Sequence, residues 1–552
     1  MNMKNNILRL FCGGLLCCGG AAALTSCTDL DVDMNSQYTS YPENDKIDPQ
    51  AIVEAEMSDV YFQFRDCMGR RYMEAQTLSS DEMVGVSFSG DYYDSGTYAH
   101  MSLHDFQATD PSNGHFSPLM EGITKANEKM AKFEAMGDAA VAPIRAIRAY
   151  FTFLLMDSYG DVPILDHLLA EGEAVDRSPR ADVARWIESE LLDAIPYLTK
   201  ENNENTYGKP NRWMAEALLA KLYINWPVYT ASDVTAYNAA SYSNEKLADC
   251  VSYCDDIIQN GPFSLDGGAK GFRSKFFPNN GVQIKDFIYA MPYDAETQPG
   301  NQYMRPCIWR QANKVNPSYF GMQLSKSVGG NFAVSPEMAD LFTLLGDDRN
   351  GTVLSGTIYI YDPVTYEPTT TPWQYEGQNV VLTKTIELDP AETALDHLDV
   401  GKSVKGWSQG YRSIKYFVID QDFKNDRNLS NDVPIFRFAD ILLTKAEALV
   451  RGAQPTNGET AMSLVNQVRT YAHAPLLNAD PSLKDLLDER GRELFHENWR
   501  RNDMIRFGTF ESEFGFHKLG FPTARFEKTC RIFPIPQDIL NTNTNWQQNA
   551  GY

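Results

Sequence analysis

The side chains best suited to chemistry crowd one stretch near the C-terminus, Asp488-Glu489-Arg490-Gly491-Arg492-Glu493-Leu494-Phe495-His496-Glu497-Asn498-Trp499-Arg500-Arg501-Asn502-Asp503-Met504-Ile505-Arg506-Phe507-Gly508. Glu493 and Glu497 are four residues apart. Two carboxyls set roughly 5–10 Å apart across a sugar bond are the acid and base of a glycosidase. A general acid needs a raised pKa, however, and neighbouring arginines hold carboxylates ionised. Glu497 with Arg501 is instead a favourable i,i+4 pair, and Asp503 lies three residues before Arg506. The stretch reads as an amphipathic helix whose ion pairs lock it to the core. Elsewhere His100 and His104 share an i,i+4 spacing without the HExxH pattern of a zinc site. Asp420, Asp422, Asn425 and Asp426 offer oxygens to calcium, but the spacing is not that of an EF-hand, so a solvated turn is expected. No nucleophile elbow, phosphate-binding loop or dinucleotide fingerprint is present. No catalytic residue, metal or cofactor is expected.

The elements that carry these residues are mainly helical. Apolar side chains recur at helical spacing over 49–65, 118–136, 139–159, 181–198, 213–226 and 244–259, and again over 438–450, 460–471 and 483–501. A C′ glycine followed by proline ends one helix at Tyr159-Gly160-Asp161-Val162-Pro163, and Phe507-Gly508 ends the last in the same manner. Between the two helical blocks, roughly 261–433 is rich in Gly, Pro, Asn and Tyr, with short β-prone runs at 380–383 and 411–418. The expected fold class is mainly α, with helical scaffold at about 50–260 and 434–508 around a long irregular region at about 261–433.

The chain has 552 residues, 43% of them apolar, with 28 Tyr, 29 Phe and 8 Trp. That composition excludes intrinsic disorder and allows a large core. Its first residues have another character. Lys4 and Arg9 precede a short apolar stretch, 10–24, broken by Gly13, Gly14, Gly19 and Gly20. It falls short of the roughly 20 residues that span a bilayer and reads as a secretory signal. It ends in Leu24-Thr25-Ser26-Cys27, which resembles the lipobox of bacterial lipoproteins. The resemblance implies a signal peptide over 1–26, acylation of Cys27, and a mature body, 27–552, anchored by its acyl chains. Asp29, Asp31 and Asp33 follow at once and resemble a surface-export signal of Bacteroidetes lipoproteins. No later apolar run approaches membrane length. The mature chain would carry 47 basic and 73 acidic residues, a net −26. That balance excludes nucleic acid, disfavours peripheral docking on an anionic membrane, and fits a receptor for a neutral ligand. Cys67, Cys250, Cys254, Cys307 and Cys530 are too few for a disulfide framework and are expected as buried apolar residues.

The C-terminal stretch closely resembles the signature of the SusD/RagB family of Bacteroidetes nutrient-uptake lipoproteins. Further matches follow in order along the chain. They include Arg148-Ala149-Tyr150-Phe151 through Pro163, Arg212-Trp213 with Ala217-Leu218-Leu219-Ala220-Lys221-Leu222-Tyr223, and Pro434-Ile435-Phe436-Arg437-Phe438-Ala439-Asp440-Ile441-Leu442-Leu443 with Lys445-Ala446-Glu447-Ala448. Phe533-Pro534-Ile535-Pro536 and the terminal Asn549-Ala550-Gly551-Tyr552 complete the set; the family usually has Asn-Pro-Gly-Tyr there. The resemblance implies a single body of tetratricopeptide-like helix pairs. It also implies outer-membrane, cell-surface placement and a SusC-like TonB-dependent transporter as partner. The ligand would be an oligosaccharide, or a peptide in the RagB branch.

The matched motifs look like scaffold, so the ligand site is sought in the aromatic loops. Holding sugar without cleaving it takes flat apolar faces for the ring C–H groups, with amide or guanidinium donors for the hydroxyls. Three loops qualify. The Gly-flanked Ser89–Tyr98 segment carries Tyr92 and Tyr93, near where relatives often place a Trp; 293–309 carries Tyr303, Arg305 and Trp309; and 371–375 carries Trp373 and Tyr375. The expectation is non-catalytic capture of an oligosaccharide by these residues. The rivals are a RagB-like peptide receptor, a surface glycoside hydrolase lipoprotein, and a purely structural adaptor.

Overall fold

The computed structural model describes residues 49–265, 271–309, 326, 328–391, 394–516, 520–521 and 523–552. Cys27 and the acidic residues after it lie outside them. The described body is mainly α. Helices Phe116–Phe133, Asp138–Tyr159, Arg180–Ala194, Arg212–Ile224 and Leu247–Asn260 form its first block, and Phe438–Val450, Ala461–Tyr471, Leu483–Glu493 and Arg500–Phe507 its second. Sequential helices pack as tetratricopeptide-like pairs, and the blocks join where Phe438–Val450 lies against Leu247–Asn260.

Local chemistry accounts for the boundaries. Asn211 caps one helix by accepting the Met214 N–H, while Thr460 with Ser463 and Ser482 with Asp485 close capping boxes on two others. Gly160 (φ 78°) ends the Asp138–Tyr159 helix, and Gly508 (φ 76°) ends Arg500–Phe507, as the sequence predicts. Gly122 lets two helices meet closely, for a Cβ there would sit 2.7 Å from the Phe151 ring. The Asp138–Tyr159 helix, 22 residues long, is after all apolar and long enough to cross a bilayer, but most of it is buried inside the body. It is a core helix.

Two expected helices are broken. The 49–65 pattern resolves into Pro49–Glu56 and Ser58–Tyr61, and a further helix from Arg65 runs through a π-turn, Met68–Tyr72, to Leu78. The 483–501 pattern stops at Glu493 and resumes at Arg500, with His496 (φ 59°) and Asn498 (φ 68°) left-handed between. The break frees carbonyls for cations from other segments. Lys415 Nζ donates to the Glu493 and Phe495 carbonyls at 3.1 and 2.8 Å, and Arg437 Nη2 donates to Glu493 O at 2.7 Å.

The described strands are short and pair antiparallel in twos, among them Met83–Gly85 with Phe332–Val334 and Phe287–Met291 with Val433–Arg437. Among the described residues, the rest of the middle region is loops with short helices such as Pro336–Leu341, Val404–Trp407 and Asp420–Lys424.

Candidate ligand-binding site

The Glu493/Glu497 pair can be settled first. Both side chains are buried, and Arg437 bridges them at 2.7 Å to Glu493 and 2.8 Å to Glu497. Arg349 adds 3.1 Å to Glu493, and Lys415 adds 2.5 Å to Glu497. Burial works to raise the Glu493 pKa, but Arg437 and Arg349 outweigh it and hold the carboxyl below its ordinary value. Lys275 and Arg437 share Asp286 at 2.6 and 2.7 Å, extending a buried network through several segments. Both carboxylates are shut inside the body on arginine and lysine partners, without the access that glycoside hydrolysis requires. His104 donates its Nε2–H to the Ser79 carbonyl (2.9 Å) and stacks on Phe510, and His100 meets Asp110 at 3.1 Å, so both are structural. The acidic run is not the expected solvated turn but starts as a short helix, Asp420–Lys424, in which Asp422 is buried and accepts the Ser430 N–H and hydroxyl at 3.0 and 2.9 Å. Cys67, Cys250, Cys254, Cys307 and Cys530 are all free and buried.

The aromatic candidates divide. Trp309 and Trp373 are buried, at 0% and 1% exposure, and Tyr303 is buried at 0%. Tyr303 belongs to the core under the scaffold: its hydroxyl accepts from Asn498 Nδ2 at 2.6 Å, and its ring packs on Tyr416 and His496. Trp309 meets Trp373 (ring centroids 4.7 Å), Tyr375 (5.4 Å) and Trp407 (6.1 Å), each near edge-on, so their faces are spent on one another. These three residues therefore do not present the open stacking faces the sequence suggested. Trp309, Trp373 and Trp407 form an aromatic plug against which Tyr375 packs.

The half-buried members are Tyr92, Tyr93, Arg305 and Tyr375. Tyr375 stands on a tight hairpin, Gln374–Tyr375 against Gln378–Asn379. Its turn residues Glu376 and Gly377 both have positive φ (52° and 74°), the geometry of a two-residue I′ turn. Tyr92 and Tyr93 stand on a loop with Ser89, Tyr92, Asp94 and Ser95 all left-handed (φ 50°, 66°, 47° and 58°). Each such non-glycine residue costs about 1–2 kcal/mol and persists only where surroundings impose it. Asp399 imposes it here. Its buried carboxylate accepts the N–H groups of Ser89 (2.7 Å), Gly90 (2.7 Å) and Gly401 (2.8 Å) and the Ser87 hydroxyl (3.1 Å). Burial pushes the Asp399 pKa up, yet these donors prevail and leave it lowered. Tyr92 donates its hydroxyl to the Val328 carbonyl at 2.8 Å, and Tyr93 lies over His397 at 3.8 Å between centroids.

Beside the plug runs a polar groove of about 260 Å³. Gln378 and Asn379 from the hairpin line it together with Thr383, Thr385, Ser408 and Gln409, and the ion pair of Glu387 with Lys405 (2.9 Å) borders it. Trp407 immediately precedes Ser408, and Tyr375 pairs with Gln378, so the groove borders the aromatic plug. Among the described residues the Gln378 amide and Thr385 hydroxyl have no partner, which leaves amide and hydroxyl groups for a ligand. Asp399, His397, Trp407 and Gln409 went unnoticed in the sequence; an Asp two residues before a Gly, far from the loop it clamps, carries no local signal.

A helical scaffold carrying an irregular face of aromatic and amide side chains is the form of a capture protein. The chain belongs to the SusD family. Residues 285–552 match that family, and residues 30–224 match a second description, starch-binding associating with outer membrane. The SusD-like protein P38 of Formosa agariphila is 39% identical over 459 residues, covering 79% of this chain and 78% of that protein. The starch-binding protein SusD of Bacteroides thetaiotaomicron is 23% identical over 461 residues, 78% of this chain and 76% of that one. Among solved structures, surface glycan-binding protein A of Bacteroides thetaiotaomicron in complex with laminarihexaose superposes with a TM-score of 0.66 at 17% identity, over 90% of this chain and 99% of that one.

Proposed function

We propose that this protein captures an oligosaccharide at the outer surface of the outer membrane and releases it unaltered to a SusC-like TonB-dependent transporter. The observation that carries the reading is half-exposed Tyr375 on the hairpin that lends Gln378 and Asn379 to a groove lined by amides and hydroxyls, on a family scaffold whose curated relative is named as starch-binding; half-exposed Tyr92 and Tyr93 offer further ring faces on their own loop. Ring faces take the C–H surface of a pyranose, and Gln378, Asn379 and the Thr385 hydroxyl exchange hydrogen bonds with its hydroxyls. Trp309, Trp373 and Trp407 act beneath, fixing the hairpin. Acylation of Cys27 would tether the body, and residues 29–33 would direct it outward. The relatives' names describe binding rather than turnover, and the candidate acid–base pair is buried and ion-paired, which supports capture without chemistry.

The test is calorimetric titration of the chain lacking residues 1–27 with a panel of oligosaccharides, followed by recovery of the ligand. Saturable binding with the glycan intact, weakened by Tyr375→Ala, is expected. Cleaved product, or binding of peptides but of no glycan, overturns the reading. Radiolabelled palmitate incorporated into the full chain, and lost in Cys27→Ala, checks the anchor.

A further inference from the structure

Arg305 is set apart from the other candidates by its surroundings. It is a half-buried guanidinium in a chain with 73 acidic and 49 basic residues, yet it makes no ion pair among the described residues. Its one side-chain hydrogen bond goes from Nη1 to the Gln302 side-chain oxygen at 3.1 Å. Three loops converge there. Gly69 O accepts the Gln302 N–H at 3.0 Å, Gly300 N donates to Asn428 Oδ1 at 3.0 Å, and Leu429 N donates to Asn301 O at 2.9 Å. Arg70 and Arg427 follow Gly69 and precede Asn428, so both arrive at the same edge.

The carboxylates present do not balance these cations. Glu74 is shared by Arg70 (3.1 Å) and Arg71 (2.8 Å), and exposed Asp426 meets Arg427 at 3.2 Å. Asp66 lies against Gly300 at the start of the loop and acts on Arg65. The charges that act most strongly on Arg305 are those of Arg70 and Arg427; with partial burial ahead of both, they hold its pKa below the ordinary value. Arg427 adds a buried Nε–H with no partner, on a backbone held left-handed at Asp426 and Arg427 (φ 53° and 67°). Several guanidinium N–H donors thus converge with few acceptors, which is the arrangement that receives a bidentate oxyanion.

The edge is continuous with the tyrosine loop. Arg305 O accepts the Gly329 N–H at 3.1 Å, and a Cβ on Gly329 would meet the Pro306 Cα at 3.3 Å and the Tyr92 ring at 3.4 Å. We infer that Arg305, flanked by Arg70 and Arg427 and set beside the ring of Tyr92, binds the oxyanion substituent of an acidic sugar, a uronate carboxylate or a sulfate ester. The inference rests on the glycan-capture reading and names its substrate class. The acidity of the whole chain favours a neutral ligand; the local excess of arginine reverses that preference at this edge.

The experiment titrates the full chain in detergent with tetragalacturonate, a sulfated galactan tetrasaccharide and laminarihexaose, each also against Arg305→Gln and Arg427→Gln. At least one acidic ligand is expected to bind more tightly than laminarihexaose. Arg305→Gln should lower that affinity by at least about tenfold, the loss of a charge-assisted pair, and leave laminarihexaose unchanged. The acidic ligand that responds identifies carboxylate or sulfate as the source. Arg427→Gln should show a smaller loss of the same selectivity. Should Arg305→Gln melt early, Arg305→Lys, which keeps the charge and loses the planar fork, is held to the same criterion. Preference for laminarihexaose, or acidic affinity indifferent to every arginine substitution, overturns the inference and leaves glycan capture standing. Binding of none of the three overturns both.

Discussion

The C-terminal signature and the aromatic face are both dense in functional groups, and they use them in opposite ways. Around Glu489–Arg506 most charges are matched to one another: Arg349 reaches Asp347, Glu489 and Glu493, Arg490 reaches Asp440 and Asp503, and Arg506 reaches Glu447 and Asp503, all buried. The pair expected between Glu497 and Arg501 does not form, because the helix is broken between them: Glu497 meets Lys415 and Arg437, and Arg501 donates to the Cys530 carbonyl at 3.1 Å. On the face, Arg305 has no carboxylate, and Gln378 and Thr385 have no protein partner among the described residues. A group satisfied inside the fold stabilises it, and a group left unsatisfied at an accessible edge is available to a ligand. Density of polar residues thus distinguishes nothing here, whereas their pairing does.

The contrast is broken most severely by Arg437→Met. It removes the cation that the buried carboxylates Asp286, Glu493 and Glu497 share, leaving only Lys275, Arg349 and Lys415 to balance them, and a loss of about 3–5 kcal/mol in denaturant unfolding is expected. Trp373→Ala comes next, at about 3 kcal/mol, because a buried ring leaves a cavity. Should that substitution instead leave stability untouched and abolish glycan binding, the assignment of Trp373 to the plug is wrong. A third test uses pH. Burial pushes the Glu82 carboxyl from 4.5 up to about 8, with the His496 N–H on the carboxylate (2.7 Å) only partly opposing it. A raised folded pKa means the protonated form stabilises the fold: the contribution is full below 4.5 and is lost as pH rises to about 8. Glu82→Gln should remove that slope, so unfolding curves at pH 5 and pH 8 would differ more for the native chain than for the variant. On the face, Tyr375→Ala should lower glycan affinity roughly tenfold, about 1.4 kcal/mol, with little change in melting temperature. Asp399→Asn should act most mildly, costing about 1 kcal/mol of affinity through a loosened loop.

The scaffold was legible because its signals are local. Apolar spacing located most of the helices, and Gly160 and Gly508 ended them where a left-handed residue is needed. The interruption at 494–499 left no such mark, since it is imposed by Lys415, Arg437 and Glu82 from far along the chain. The same distance obscured the site. Trp309, Trp373 and Trp407 come from separate loops, and only their mutual contact shows that they are interior. Arg305 was noticed as a donor, but its meaning depends on Arg70 and Arg427, which nothing in the sequence places beside it.

The clamp at Asp399 has one more consequence. It grips the tyrosine loop by the main-chain N–H groups of Ser89, Gly90 and Gly401, which every residue but proline possesses. The side chains at 92 and 93 contribute nothing to that grip. Mutation can therefore exchange them for other side chains at the cost of the Tyr92–Val328 hydrogen bond and the Tyr93–His397 stack alone, while the clamp still sets the start of the loop.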